Sequence, residues 1–88
     1  MQTQSAFLMK QRIEKIVREH AGLDSLADIT HSTDLYQAGM TSYASVTLMI
    51  ALENEFELEF PDGMLSRNVF ESIDSIANAI ESLQQVAQ

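Results

Sequence analysis

Apolar residues recur with helical spacing in the first quarter of the chain, and charged residues fill the opposite face of the same segment. The apolar stripe consists of Met9, Ile13, Ile16 and Val17, at i, i+4, i+7 and i+8. This spacing is typical of an amphipathic helix. Gly22 follows at a position that suits the left-handed end of a helix. The pattern therefore predicts a first helix over about residues 5–20.

The segment 42–56 is apolar over more than half of a helical circumference. One stripe contains Val46, Met49, Leu52 and Phe56, and two further apolar residues widen it, Leu48 and Ile50. A helix of this breadth is predicted to be the central and most buried one. It is expected to end before Pro61, because the proline ring disfavours the helical conformation for the residue that precedes it.

The last third of the chain predicts two further helices. The segment "PDGMLSRNVFES", residues 61–72, predicts a turn or two of helix with Asp62 as its N-cap. A final stripe, with Ser72 or Glu71 near its start, consists of Ile73, Ile76, Ala77, Ile80 and Leu83. The sequence has neither an alternating strand pattern nor an internal repeat. The predicted fold is a small all-α four-helix bundle, with three main helices and one short helix, formed by one domain over residues 1–88.

Between the first two helices, residues 22–41 show no sustained period and are rich in Asp, Ser, Thr and Gly. This connection is longer than most connections in compact domains. Its apolar residues are Leu23, Leu26, Ile29, Leu35 and Tyr36. We expect these side chains to pack back on the core, so that the long connection is held against the bundle.

Charge is distributed unevenly along the chain, which has a net charge of −8 at pH 7. All acidic residues except Glu14 and Glu19 follow residue 22, whereas Arg67 is the only lysine or arginine after Arg18. Such an acidic surface repels nucleic-acid phosphates and anionic lipid, and it suits docking on basic patches of other proteins. The basic residues from Lys10 to Arg18 are expected to form a solvated face.

The composition excludes several classes of function. The chain has no cysteine and no apolar run as long as that of a signal peptide or a membrane span. We therefore expect a soluble, cytoplasmic monomer without membrane insertion. His20 and His31 stand eleven residues apart, and His31 is expected to be a solvated loop residue rather than a metal ligand. The alternate glutamates, Glu53, Glu55, Glu57 and Glu59, are likewise expected to be solvated. Neither an enzyme nor a metal site is predicted.

Ser42 has a special position, because it follows the loop glycine Gly39 and lies in the first turn of the most apolar predicted helix. Unpaired backbone N–H groups and the helix dipole favour negative charge at that place. Two interpretations remain open from the residues alone. Either Thr41 or Ser42 simply caps the helix, or the Ser42 hydroxyl carries a negatively charged group.

Residues 34–62, "DLYQAGMTSYASVTLMIALENEFELEFPD", resemble the core of acyl carrier proteins. The family pattern reads Asp-Leu, a short loop with Gly, Asp-Ser-Leu, an apolar helix, Glu-x-x-Phe and an ending similar to Ile-Pro-Asp. The matching positions are Asp34, Leu35, Gly39, Ser42, Val46, Leu48, Ala51, Leu52, Glu53, Glu55, Phe56, Phe60, Pro61 and Asp62. Helix order, length and acidity are also similar, so the resemblance covers almost the whole chain.

The resemblance implies a carrier rather than a catalyst. It implies that a phosphopantetheinyl transferase attaches 4′-phosphopantetheine from coenzyme A to Ser42. The terminal thiol then holds an acyl group as a thioester and presents it to acyl-loading and acyl-using enzymes with basic docking patches. Candidates to line an apolar acyl pocket are Met49, Met64, Leu65, Val69 and Ile73, although each of them also suits plain core packing.

The chain departs from the family at the motif itself, where Thr41, Ser42 and Tyr43 replace the usual Asp-Ser-Leu. Thr41 is expected to cap the helix in place of the acid, and Tyr43 places a ring beside the prosthetic group. The candidates for partner recognition are Thr41, Tyr43, Thr47 and Glu53. These departures favour a specialised carrier of a fatty acid, lipid or polyketide-type pathway. The alternatives are an aminoacyl or peptidyl carrier, against which the strong acidity argues, and a docking module whose Ser42 is never modified.

Overall fold

The computed structural model describes residues 2–23 and 28–86. Its helices are α1 (Gln2–His20), α2 (Ser42–Phe56), α3 (Arg67–Phe70) and α4 (Ile73–Val86), and a 3₁₀ turn covers Asp62–Met64. The described residues contain no strand, which confirms the all-α fold with three long helices and one short helix. None of these helices combines the length and the apolar character needed to cross a membrane.

The bundle is built around α1, which packs against both α2 and α4, while α3 packs on α4. Most of the fully buried side chains come from α1 and α4. The buried residues of α4 are Ile73, Ile76, Ala77, Ala79 and Ile80, whereas α2 contributes Leu48 and Leu52 alone. The prediction that α2 is the most buried helix is therefore wrong. Val46 and Ile50 are about half exposed, at 52% and 50%, because the neighbouring helices cover only part of the broad apolar surface of α2.

The sequence analysis predicted that the basic residues of α1 form a solvated face. The structure shows instead that two of them form ion pairs with neighbouring helices. Lys10 Nζ lies 2.9 Å from Asp74 on α4, and Arg12 Nη2 lies 2.6 Å from Glu55 on α2. The Arg12 guanidinium also lies over the Phe56 ring, 4.5 Å from its centroid. These pairs are partly exposed and each contributes roughly 1 kcal/mol or less. They connect α1 to both of its neighbours.

Two of the alternate glutamates have structural partners, so the expected simple solvation is wrong for Glu53 and Glu55. Glu53 Oε2 accepts a hydrogen bond of 2.9 Å from the backbone N–H of Phe60. Glu57 ends α2 in the left-handed conformation, with φ 53°. Phe60 then packs edge-to-face against Phe70, with ring centroids 5.2 Å apart. The turn after α2 is thereby fixed against the core.

The starts of the last helices differ in part from the prediction. Asp62 is the first residue of the 3₁₀ turn and makes no capping hydrogen bond there, because the cap position belongs to Pro61. Ser72 does mark the start of α4, as predicted. Its hydroxyl accepts from the N–H of Ser75, and the Ser75 hydroxyl accepts from the N–H of Ser72, each at 3.1 Å. This reciprocal arrangement satisfies two amide groups that the helix leaves unpaired.

The long connection does pack on the core. Gly22 ends α1 with φ +73°, as predicted, and Ile29 and Leu35 are buried. Leu23 and Tyr36 are half-buried against the same core. The expectation for Leu26 lies outside the described residues.

His31 is part of this packing, contrary to the expectation that it is solvated. It is half-buried, and its Nε2 lies 3.4 Å from Glu14 of α1. Its backbone carbonyl accepts a hydrogen bond of 2.9 Å from the N–H of Asp74. The connection is thus attached to α1 through a side chain and to α4 through its backbone.

The unequal burial along α2 yields a test of the packing. Leu52→Ala should lower the free energy of unfolding by about 2–5 kcal/mol, because it opens a cavity at a fully buried site. Ile50→Ala on the same helix should cost less than about 1 kcal/mol, since half of that side chain already contacts solvent. Urea denaturation of both variants measures the difference. Equal losses would contradict the burial described for α2.

Candidate functional site

A short turn in the long connection determines where α2 begins. Asp34 Oδ1 accepts hydrogen bonds from the N–H groups of Tyr36 and Gln37, at 3.0 and 3.2 Å. Leu35 is fully buried beneath this turn. Gly39 closes it with φ +124°, a conformation that side chains rarely adopt. The Asp-Leu and Gly positions of the sequence motif therefore have structural roles, because they lead the chain back to the start of α2.

Thr41 caps α2, and Ser42 is its first helical residue. The Thr41 hydroxyl accepts a hydrogen bond of 3.0 Å from the N–H of Ala44, as the sequence predicted. Met40, immediately before it, is buried and anchors the chain to the core. Capping therefore leaves the Ser42 hydroxyl available for another purpose.

The Ser42 side chain is exposed and makes no hydrogen bond within the described part of the chain. The first turn of α2 contains no acidic residue that would repel an anion. The helix dipole and the amide groups at this end favour negative charge by roughly 0.3–1 kcal/mol. The Ser42 oxygen is thus a favourable position for an ester of phosphoric acid.

A groove of about 380 Å³ begins at Ser42 and runs between α2 and the α3 region. Its lining residues are Tyr36, Ser42, Ser45, Val46, Met49, Leu65, Ser66, Arg67 and Phe70. The lining combines apolar side chains with three hydroxyl groups from serine and one cation. None of the described residues that line it is His, Asp or Glu.

Two of the five predicted pocket residues, Met49 and Leu65, line this groove. Met64 and Val69 are half-buried against the core, and Ile73 is completely buried within it; none of the three is among the lining residues. Sequence reasoning missed the other side of the groove, formed by Tyr36, Arg67 and Phe70. The Arg67 guanidinium lies over the Tyr36 ring, 4.2 Å from its centroid. Tyr36 and Arg67 are far apart in the sequence, so no local sequence pattern predicts their contact.

The candidates for partner recognition occupy different environments. Tyr43 is 82% exposed, and Val46 and Ile50 lie at i+3 and i+7 from it on the same helix. We call Tyr43, Val46 and Ile50 the α2 stripe. Thr47 is half-buried beside it, and its hydroxyl donates to the Tyr43 carbonyl at 3.4 Å. Thr41 is exposed next to Ser42, whereas Glu53 is engaged with the Phe60 amide described above.

Comparison with known proteins identifies related sequences. A family described as "Phosphopantetheine attachment site" matches residues 11–80. An aminoacyl carrier protein of Agrobacterium fabrum strain C58 is 39% identical over 74 residues, which cover 83% of this chain and 89% of that protein.

Solved structures of carrier proteins are also similar to this chain. A carrier protein from Agrobacterium tumefaciens, complexed with an engineered Bradyrhizobium japonicum glycine:[carrier protein] ligase and AMP, is 37% identical, with a TM-score of 0.77. The match covers 83% of this chain and 99% of that one. A glycylated carrier protein complexed with the Bradyrhizobium japonicum ligase is 26% identical, with a TM-score of 0.70 and coverage of 82% and 97%.

The division of roles between Thr41 and Ser42 is testable by stability. Thr41→Val should lower the free energy of unfolding by about 1 kcal/mol, because it removes the hydroxyl that accepts from Ala44. Thr41→Asp should restore that stability, since a carboxylate also caps and complements the dipole. Ser42→Ala should change it by less than about 0.5 kcal/mol. Urea denaturation measures all three, and a Ser42→Ala loss equal to that of Thr41→Val would assign the cap to Ser42 instead.

Proposed function

The chain belongs to the phosphopantetheine-binding carrier proteins, and on this premise we propose that it is an aminoacyl carrier with Ser42 as its attachment residue. It holds a small amino acid as a thioester on 4′-phosphopantetheine, passes it between enzymes and is not itself the catalyst. The observation that carries the proposal is the Ser42 hydroxyl, which is exposed at the start of α2 and free of the capping role that Thr41 fills.

The residues around Ser42 fit this prosthetic group. The exposed hydroxyl can form a phosphate ester without breaking a contact within the described chain, and no carboxylate in the first turn of α2 opposes the added charge. Val46 and Leu65 offer apolar surface along the adjoining groove, while Ser45 and Ser66 offer hydroxyl groups. When attached, the group supplies the thiol that a chain without cysteine lacks.

An amino acid is proposed as cargo in preference to the fatty acyl or polyketide chain that acidity alone suggested. The relatives described above include an aminoacyl carrier protein and a glycylated carrier protein. Acidity is also a weaker guide than it seemed, because Glu55 and Asp74 form ion pairs within the fold and Glu53 accepts from the Phe60 amide. The groove, with its serines and Arg67, is less apolar than the predicted methionine-lined pocket.

We propose that the loading enzyme is an amino acid:[carrier protein] ligase that docks on the α2 stripe. This surface lies directly after Ser42 and exposes apolar side chains to solvent. Tyr43 is its most exposed member, and exposed aromatic residues often dominate interface energies. Thr41 and Thr47 lie beside it and are proposed as additional contacts. Glu53 is given a structural role instead, because its carboxylate accepts a hydrogen bond from the backbone N–H of Phe60.

Attachment is tested by intact mass after incubation with coenzyme A, Mg²⁺ and a broad-specificity phosphopantetheinyl transferase. The wild-type chain should gain one phosphopantetheine, and Ser42→Ala should gain none. Ser45→Ala is the matched control, because Ser45 lies one turn further along the same groove and should not affect the product. An unmodified wild-type chain would instead support the docking module without a prosthetic group.

The cargo is tested with the modified protein, ATP and a glycine:[carrier protein] ligase. Glycine should add as a thioester that neutral hydroxylamine removes, as seen by intact mass. The same modified protein should be a poor substrate for the acyl transferases of fatty acid synthesis. Efficient acylation there, combined with no aminoacylation by any ligase tried, would contradict the proposed cargo.

Docking is tested by Tyr43→Ala in the same loading reaction. The variant should lower kcat/KM roughly tenfold, which corresponds to about 1.4 kcal/mol of lost interaction. Its unfolding midpoint should not change, because the Tyr43 side chain is 82% exposed. Phe7→Ala, a truncation of a 53% exposed aromatic residue on α1, serves as control and should leave kcat/KM unaltered. Equal effects of the two variants would exclude the α2 stripe as the docking surface.

A further inference from the structure

Arg67 differs in its surroundings from Lys10, Arg12 and Arg18. The ion pairs of Lys10, Arg12 and Arg18 place each of them 2.6–3.2 Å from a carboxylate oxygen. Arg67 has no such partner among the described residues, although most of the acidic residues lie in its half of the chain. Its described contact is the face of the Tyr36 ring. Stacking on a ring leaves the N–H donors at the edge of the guanidinium free for an anion.

The Tyr36 ring and Arg67 come from two segments that the backbone holds together. The Tyr36 amide is bound by Asp34 Oδ1 at 3.0 Å, and the N–H of the adjacent Leu35 donates to the Glu71 carbonyl at 2.7 Å. Arg67 begins α3, four residues before Glu71. The two segments are therefore held together before any ligand arrives, and stacking on the Tyr36 ring reduces the conformational entropy that the Arg67 side chain loses on binding one.

Arg67 also lines the same groove as Ser42. A guanidinium matches the oxygens of a phosphate group with paired, charge-assisted hydrogen bonds. We propose that Arg67 is a positioning residue that binds the phosphodiester of the prosthetic group on Ser42, with Tyr36 as its support. This inference rests on the proposed attachment at Ser42. It directs the first part of the arm into the groove, which Val46 also lines, and leaves Tyr43 and Ile50 of the α2 stripe accessible to a partner.

Arg67→Gln tests the proposal on the modified chain. Lys15→Gln is the charge-matched control, because Lys15 is exposed on α1, has no ion pair among the described residues and does not line the groove. Intact mass comes first and shows whether each variant is modified. Failure of the wild-type chain at this step overturns the attachment at Ser42, and it is thereby separated from failure of the Arg67 inference.

The readout for the modified proteins is the ³¹P chemical shift of the phosphodiester. Arg67→Gln should move this resonance, Lys15→Gln should leave it at the wild-type position, and Arg67→Lys should give an intermediate shift because it retains charge without the planar guanidinium. Raising the salt concentration should move the wild-type resonance towards that of Arg67→Gln. A resonance that is the same in the wild type, Arg67→Gln and Lys15→Gln would overturn the proposal.

Stability supplies a second measurement, which separates a contact with the prosthetic group from a role in the fold. Any stabilisation of the modified over the unmodified wild-type chain should be reduced in Arg67→Gln and preserved in Lys15→Gln. An equal loss of stability in the modified and unmodified forms of Arg67→Gln would assign the side chain to the fold and overturn the inference. If Arg67→Gln does not fold, Arg67→Lys and the salt titration decide the question, because each should still move the resonance away from its low-salt wild-type position, and no movement in either would overturn the inference.

Discussion

The attachment of the long connection to the start of α4 is the constraint on which the site depends. A segment without regular structure must still pair its buried backbone groups, and here two such hydrogen bonds cross to the other end of the chain. Leu35 donates to Glu71, and Asp74 donates to His31. With Leu35 fully buried between them, the segment leading to Ser42 is fixed relative to α3. The groove exists because these two parts of the chain are held side by side.

The elements themselves follow from local patterns in the sequence. Helix spacing, Gly22 at the end of α1 and Thr41 at the start of α2 are all decided within a few residues, so the sequence predicts them well. The burial of α2 does not follow in the same way. Its apolar circumference is visible in the sequence, but the area that its neighbours cover depends on the packing of α1 and α4. The exposed positions Val46 and Ile50 therefore emerge only from the structure.

The candidate site likewise has one part that local sequence predicts and one part that depends on tertiary packing. Ser42 is predictable because the helix start and the family resemblance both lie within the motif around it. Tyr36 and Arg67 are far apart in the sequence, and neither belongs to a periodic stripe that would indicate contact. The same applies to Arg12 and Glu55, whose pairing requires α1 and α2 to be docked. Charges that the sequence presents as surface can thus be part of the fold, as Arg12 and Glu55 are, and Arg67 lines the same groove as Ser42.

The exposed α2 stripe has a consequence for how copies of this protein meet one another. An apolar surface that is left open for a partner is equally open to a second copy. The net charge of −8 opposes that encounter, because two like-charged molecules repel before their apolar surfaces can touch. A partner with a basic surface meets no such barrier. The net negative charge therefore disfavours association between two copies through the α2 stripe, while it leaves this apolar surface accessible to a basic partner.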